Sequence, residues 1–147
     1  MSTIYTSPEE AEEAFYDAIS RGDLDTLMSI WADDDEIVCI HPTGQCLTGH
    51  RAIRESWRSI FSNNTRFSVR IKHKVRWKGV ILAVHTVVEL LYLGDEPTPH
   101  GPMLSTNVFQ RGATGWRMLS HHASTAADTQ TENGSDVADS STRRTLH

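Results

Sequence analysis

Histidine is the side chain readiest to move a proton near neutral pH, and this 147-residue chain carries eight of them. His41 ends the run Glu36-Ile37-Val38-Cys39-Ile40. If Ile37, Cys39 and His41 share a covered face, His41 meets an apolar space as proton donor, acceptor or shuttle. Its other use is to hold the turn Pro42-Thr43-Gly44 that follows. His121 and His122 are neighbours on a strand, so only one can point inward. His122 is the expected one, because Trp116 and Met118 alternate onto its face; a buried, purely structural histidine is the competing reading. His41 and His122 are therefore the candidate catalytic residues.

A second set could hold a ligand. His73 is the one polar residue on a face otherwise made of Phe67, Val69, Ile71, Val75 and Trp77. Trp31 and Trp57 could stack on a ligand or simply fill a core, and Asn107 could help shape a pocket. The position of His85 and Glu89 depends on how Lys78-Gly79 turns the chain. A two-residue turn pairs Trp77 with Val80 and sends His85 and Glu89 to the side opposite His73. A three-residue loop sets His85 directly across from His73, because a one-residue slip swaps faces. The shorter turn is the preferred reading.

Other chemistries find less support. Asp33-Asp34-Asp35 could supply a basic carboxylate, but three adjacent acids at a helix end are usually solvated, and no pair of buried carboxylates is evident. Metal-ligand spacings such as a helical H-x-x-x-H or paired CxxC are missing, so no metal and no cofactor are expected. Cys39 and Cys46 read as reduced thiols, with a single disulfide as the alternative. The stripe Arg70, Lys72, Lys74, Arg76 and Lys78 could touch phosphate. A net charge of -5 and the lack of interleaved aromatics on that face argue instead for a solvated or subunit-facing surface. Nucleic acid is thus not an expected partner. Neither a basic apolar leader nor a stretch able to span a bilayer is visible, so no membrane association and a cytoplasmic location are expected.

The elements that must position these residues follow from pattern. Ser7-Pro8-Glu9-Glu10 caps a first helix, whose inner face is Ala11, Ala14, Phe15, Ala18 and Ile19 and which Gly22 ends. Asp23 caps a second, running through Leu24, Leu27, Met28 and Trp31. A short strand at 36–41 and a stub at 45–48 precede a third helix from Gly49 to Phe61. Strands are then predicted at 66–78, 80–93, 103–111 and 116–124, the last two joined by a hairpin at Gly112–Gly115. Helices first and an antiparallel meander after is an α+β layout. From Thr125 to His147 there is no aromatic residue, and only Val137 and Leu146 are large aliphatics. The domain is accordingly expected at 1–124, with a disordered, polar tail at 125–147.

Particular residues carry a family resemblance. Trp31-Ala32-Asp33-Asp34-Asp35-Glu36-Ile37-Val38-Cys39-Ile40-His41-Pro42-Thr43-Gly44, then Gly49 and Ala52-Ile53-Arg54-Glu55-Ser56-Trp57, resemble the snoaL-like branch of the nuclear transport factor 2-like (ketosteroid isomerase-like) superfamily. Gly115–Ser124 resembles that branch's closing strand, and also the last strand of the calcium/calmodulin-dependent kinase II association domain. The resemblance implies a cone-shaped, cystatin-like α+β barrel, three helices on a curved, mostly antiparallel sheet. It implies a small hydrophobic ligand as partner and a homodimer. The implied function is ligand binding, extending to acid–base isomerase, lyase or cyclase chemistry on a hydrophobic carbonyl compound. A non-enzymatic association module is the other implied use of the fold.

Overall fold

The computed structural model describes residues 3–63 and 66–127. Helix α1 (Pro8–Arg21) begins where Ser7 accepts the Glu10 backbone N–H, and ends at Gly22, whose φ of 65° needs a residue without a Cβ. Asp23 caps the short α2 (Leu24–Ser29) through the Thr26 N–H. That helix stops before Trp31, which instead forms a parallel bridge with Met118. Strands β1 (Val38–Ile40) and β2 (Cys46–Thr48) pair antiparallel and lead into α3 (Gly49–Phe61). The meander is β3 (Phe67–Lys78), β4 (Leu82–Leu93), β5 (His100–Gly112) and β6 (Gly115–Thr125). Because β6 continues through Thr125, the expected tail at 125–147 falls, from residue 128 on, outside the described residues.

One six-stranded sheet results, in the order β2-β1-β6-β5-β4-β3. All pairings are antiparallel except β1 with β6, where Cys39 lies beside His121. This is the cystatin-like α+β architecture expected from the sequence. The sheet curves around α1, and the enclosed core includes Phe15, Ile19, Leu27, Ile30, Trp31, Ile37, Ile53, Phe109 and Met118.

Two bulges, each one extra residue, change which side chains face that core. In β3, His73 pairs with Val87 but Val75 pairs with Thr86, leaving Lys74 over. Phe67, Val69, Ile71 and His73 stay on the concave face, while Val75 and Trp77 turn outward and are 56% and 55% exposed. The chain crosses to β4 through Gly79–Ile81 with Lys78 opposite Ala83, so neither turn considered above is adopted. His85 and Glu89 consequently share the inner face with His73, the reverse of the preferred reading. The basic stripe is divided by the same bulge: Arg70, stacked on Tyr92, and Lys72 stay on the convex side. In β6, Val108 pairs with Ser120 but Phe109 with Met118, leaving Leu119 over. Trp116 and Met118 are inside, and so are His121 and Ala123, whereas His122 is exposed. The expectation for His122 fails because alternation was counted through a bulge.

Phe15 is the central aromatic, fully buried with Tyr16, Trp31, Trp57 and His121 rings around it at 5.0–6.3 Å. Phe15→Ala should cost about 3–5 kcal/mol of unfolding free energy. Denaturant titration followed by circular dichroism measures it; a loss below about 1 kcal/mol would refute this assignment of the core.

Candidate functional site

Between α1, α3 and the concave sheet lies a cavity of about 420 Å³. Its wall is mostly apolar: Ile19 from α1, Trp57 and Ile60 from α3, Phe67 and Val69 from β3, Leu91 and Leu93 from β4, and Met103 and Ala123 from β5 and β6. Five polar side chains interrupt it, namely Tyr16, His41, Glu89 and His121, with Asn63 just beyond the end of α3. A roomy apolar space with a few convergent polar groups is the usual form of a small-molecule site.

The polar groups are not independent. Glu12, one turn before Tyr16 on α1, is 1% exposed and anchors Tyr16, Glu89 and His121. Its Oε1 accepts from His73 Nε2 at 2.6 Å and His85 Nδ1 at 2.8 Å, and its Oε2 accepts from Asn107 Nδ2 at 2.9 Å. A carboxylate can only accept, so this last contact fixes which way the Asn107 amide points. The amide's other hydrogen reaches the Tyr16 oxygen at 3.0 Å, and Tyr16 donates to Glu89 Oε2 at 2.6 Å. Asn107 Oδ1 then accepts from His121 Nδ1 at 2.7 Å. The tautomer of His121 follows: its proton sits on Nδ1, and Nε2, 4.0 Å from Glu89 Oε2, is left as an acceptor.

The environment sets protonation. Burial alone would raise the Glu12 pKa, but the hydrogen bonds from His85, Asn107 and His73 outweigh it and hold the carboxyl below its ordinary value. Burial, reinforced by the Glu89 charge, lifts Tyr16 well above the usual phenol range, so it remains a donor. Burial pushes His121 down, with Glu89 opposing in part, and burial likewise lowers His41. Burial takes the Cys39 thiol up to about 12. Cys39 and the exposed Cys46 are both free.

Of the residues named from sequence, His41 and Trp57 do reach the cavity. His41 Nε2 lies 3.1 Å from Ser56 Oγ, and its ring meets Trp57 edge-on at 5.2 Å. Asn107 and His73 sit behind the cavity wall as partners of Glu12, and Trp31 is core packing against Phe15. Glu12 and Tyr16 are additions, while Glu89 and His121, weighed from the sequence and assigned to the other face, turn inward, so a pair of inward carboxylates exists after all. Glu12 and Tyr16 had one available signal: their i,i+4 spacing beside Phe15 and Ile19 on the buried side of α1.

Comparisons with known proteins agree with this fold. The sequence profile of the SnoaL-like domain family matches residues 9–128. The F-box protein SKIP8 of Arabidopsis thaliana is 29% identical over 110 residues, 75% of this chain, and the chain spans 46% of that protein's length. Among solved structures, a Thiobacillus denitrificans protein, provisionally titled a calcium/calmodulin-dependent protein kinase type II association domain, is 40% identical with a TM-score of 0.81. That alignment covers 86% of this chain and 100% of that one. A Streptomyces avermitilis protein, provisionally titled a dehydratase of the NTF2-like family, is 31% identical with a TM-score of 0.68 over 80% of this chain and 91% of its own. A ketosteroid isomerase-like protein from Erwinia carotovora atroseptica, 18% identical with a TM-score of 0.66 over 81% and 93%, shares the fold.

The depressed histidines have a consequence for stability. A group whose folded pKa lies below its unfolded value stabilises the fold fully above the unfolded value. That contribution is lost as pH falls through the folded one. For His41 and His121 the loss therefore begins near 6.5, their ordinary value. His121→Asn should flatten the decline in unfolding free energy between about pH 7 and pH 5 relative to the parent protein. Denaturant curves across that range test it, and parallel declines would contradict it.

Proposed function

The chain belongs to the SnoaL-like domain family, within the nuclear transport factor 2-like superfamily, and from that premise we propose that it binds a small hydrophobic carbonyl compound and acts on it by proton transfer. The observation that carries the reading is Glu89. Its carboxyl opens onto a mostly apolar cavity, held 2.6 Å from the Tyr16 hydroxyl. A carboxylate poised in such a space is suited to take a proton from carbon next to a carbonyl and return it to another atom of the ligand. The His41 imidazole is the wall group able to donate a hydrogen bond to the oxygen that becomes negative, since the single Tyr16 hydroxyl hydrogen is already given to Glu89. His121 Nε2 provides an acceptor beside Glu89 for a hydroxyl or enol of the ligand. Trp57, Phe67 and Met103 would give the hydrophobic body its fit. The ketosteroid isomerase-like and provisionally titled dehydratase relatives support an isomerase or lyase over a simple carrier.

A thermal-shift screen with hydrophobic ketones, enones and hydroxyketones should find compounds that raise the unfolding midpoint. Trp57→Ala should weaken the best of them by about tenfold, close to 1.4 kcal/mol. Glu89→Gln should keep binding but lose at least about 100-fold in turnover. The reading fails if no compound stabilises the protein, or if Glu89→Gln turns over like the parent.

A second reading, self-association, has its own observation. Val75, Trp77, Val80, Ile81 and Leu82 form an exposed apolar group at the β3–β4 end, more than a solvated edge requires. The 40% identity to a provisionally titled association domain points the same way. A homodimer would pair this convex side of the sheet and leave the cavity untouched. Light scattering should give twice the chain mass at high micromolar concentration and the single mass for Trp77→Glu. A parent protein that runs as a monomer would end this reading.

A further inference from the structure

We propose that Glu12, His73 and His85 form a binding site for one divalent transition-metal ion of the zinc, cobalt or nickel type. Two imidazole nitrogens from adjacent strands converge on one carboxylate oxygen, His73 Nε2 at 2.6 Å and His85 Nδ1 at 2.8 Å from Glu12 Oε1. The three ligand atoms lie within 4.8 Å of one another, and no further histidine, cysteine, aspartate or glutamate joins them among the described residues. Two imidazoles and a carboxylate suit borderline metals and not calcium or magnesium, which prefer all-oxygen shells. Water would complete the coordination, as in open three-ligand sites.

A second observation concerns the far side of His85. The residue is fully buried, and its Nε2 has no hydrogen-bond partner. The Glu9 carboxylate lies close by, with Oε2 at 3.7 Å. A histidine that ligates through Nδ1 keeps its proton on Nε2 and donates it to a carboxylate outside the first shell. Glu9 precedes Glu12 by three positions on α1, on the side that His85 Nε2 faces, so a small shift completes that pair. Metal ligation thus gives an orphaned buried nitrogen a role that the hydrogen bonds to Glu12 alone do not. The ion has a route in, since the His73 side chain is 27% exposed and the Glu9 side chain 43%.

None of the three residues lines the 420 Å³ cavity, but Glu12 also orients its floor through Asn107, so the test varies Glu9 and His73 and reads metal binding directly, apart from any turnover. The full chain, without a polyhistidine tag and stripped of metal, should bind one equivalent of Zn²⁺ by calorimetry. It should give visible ligand-field bands with Co²⁺ and unfold at higher temperature with either ion. Glu9→Gln should weaken Zn²⁺ binding about tenfold, and His73→Ala by more. Should His73→Ala not fold, His73→Gln retains a donor for Glu12 and tests the same ligand. No binding at low micromolar Zn²⁺ would overturn the site. So would a His73 variant that binds like the parent, since the ion would then lie at surface histidines such as His50 or His100.

Discussion

A charged carboxylate buried to 1% exposure cannot persist without partners, and Glu12 has three, each from a different strand. His73 comes from β3, His85 from β4 and Asn107 from β5. A helix packed only by apolar contacts could rotate or slide by a fraction of a turn at little cost. One tied through a single carboxylate to three strands cannot, because any shift would leave a buried charge short of donors. The rotation of α1 is thereby fixed, and Tyr16, one turn further on, is aimed at Glu89. Asn107 extends the constraint across the sheet by using both amide hydrogens and its oxygen at once, on Glu12, Tyr16 and His121. The donor and acceptor directions at the cavity floor follow from one acid behind it.

This arrangement separates two jobs by depth. The outer wall of the cavity is apolar and demands little of a ligand beyond size. Its floor is polar, and every hydrogen there has an assigned direction: Tyr16 donates to Glu89, and His121 offers a lone pair beside it. A floor of this kind holds its dipoles in fixed directions, which is the condition under which they would aid the proposed reaction most. Replacing Glu12 by an apolar residue could leave the core packed while the floor lost its directions.

Much of the fold was legible in the chain, and the reasons differ from element to element. Ser7-Pro8-Glu9-Glu10 and Gly22 bound α1 because caps are local chemistry, decided within a few residues. The strands of the meander were legible from alternation, and the family from Trp31–Gly44 and Gly115–Ser124. The facing of His85, Glu89, His121 and His122 was not, since bulges at Lys74 and Leu119 depend on partners far along the chain. The parallel pairing of β1 with β6 is long-range in the same way. Glu12 was hidden among Glu9, Glu10 and Glu13, four acids in one turn and a half that look alike until the sheet selects one.

The bulge in β3 also ties the two faces of the sheet together. Without the extra residue at Lys74, Val75 and Trp77 would continue the inner face begun by Phe67, Val69 and Ile71, in line with His73. With it, they pass to the convex side, and Arg76 takes the place opposite His85. One inserted residue therefore does two things that no single substitution could do together. It ends the apolar lining of the concave face just beyond His73, where Glu12 needs polar partners. It also places a tryptophan and a valine on the exposed convex surface. The polar cluster inside and the exposed apolar patch outside are consequences of the same register, so removing the bulge would change both faces of β3 at once.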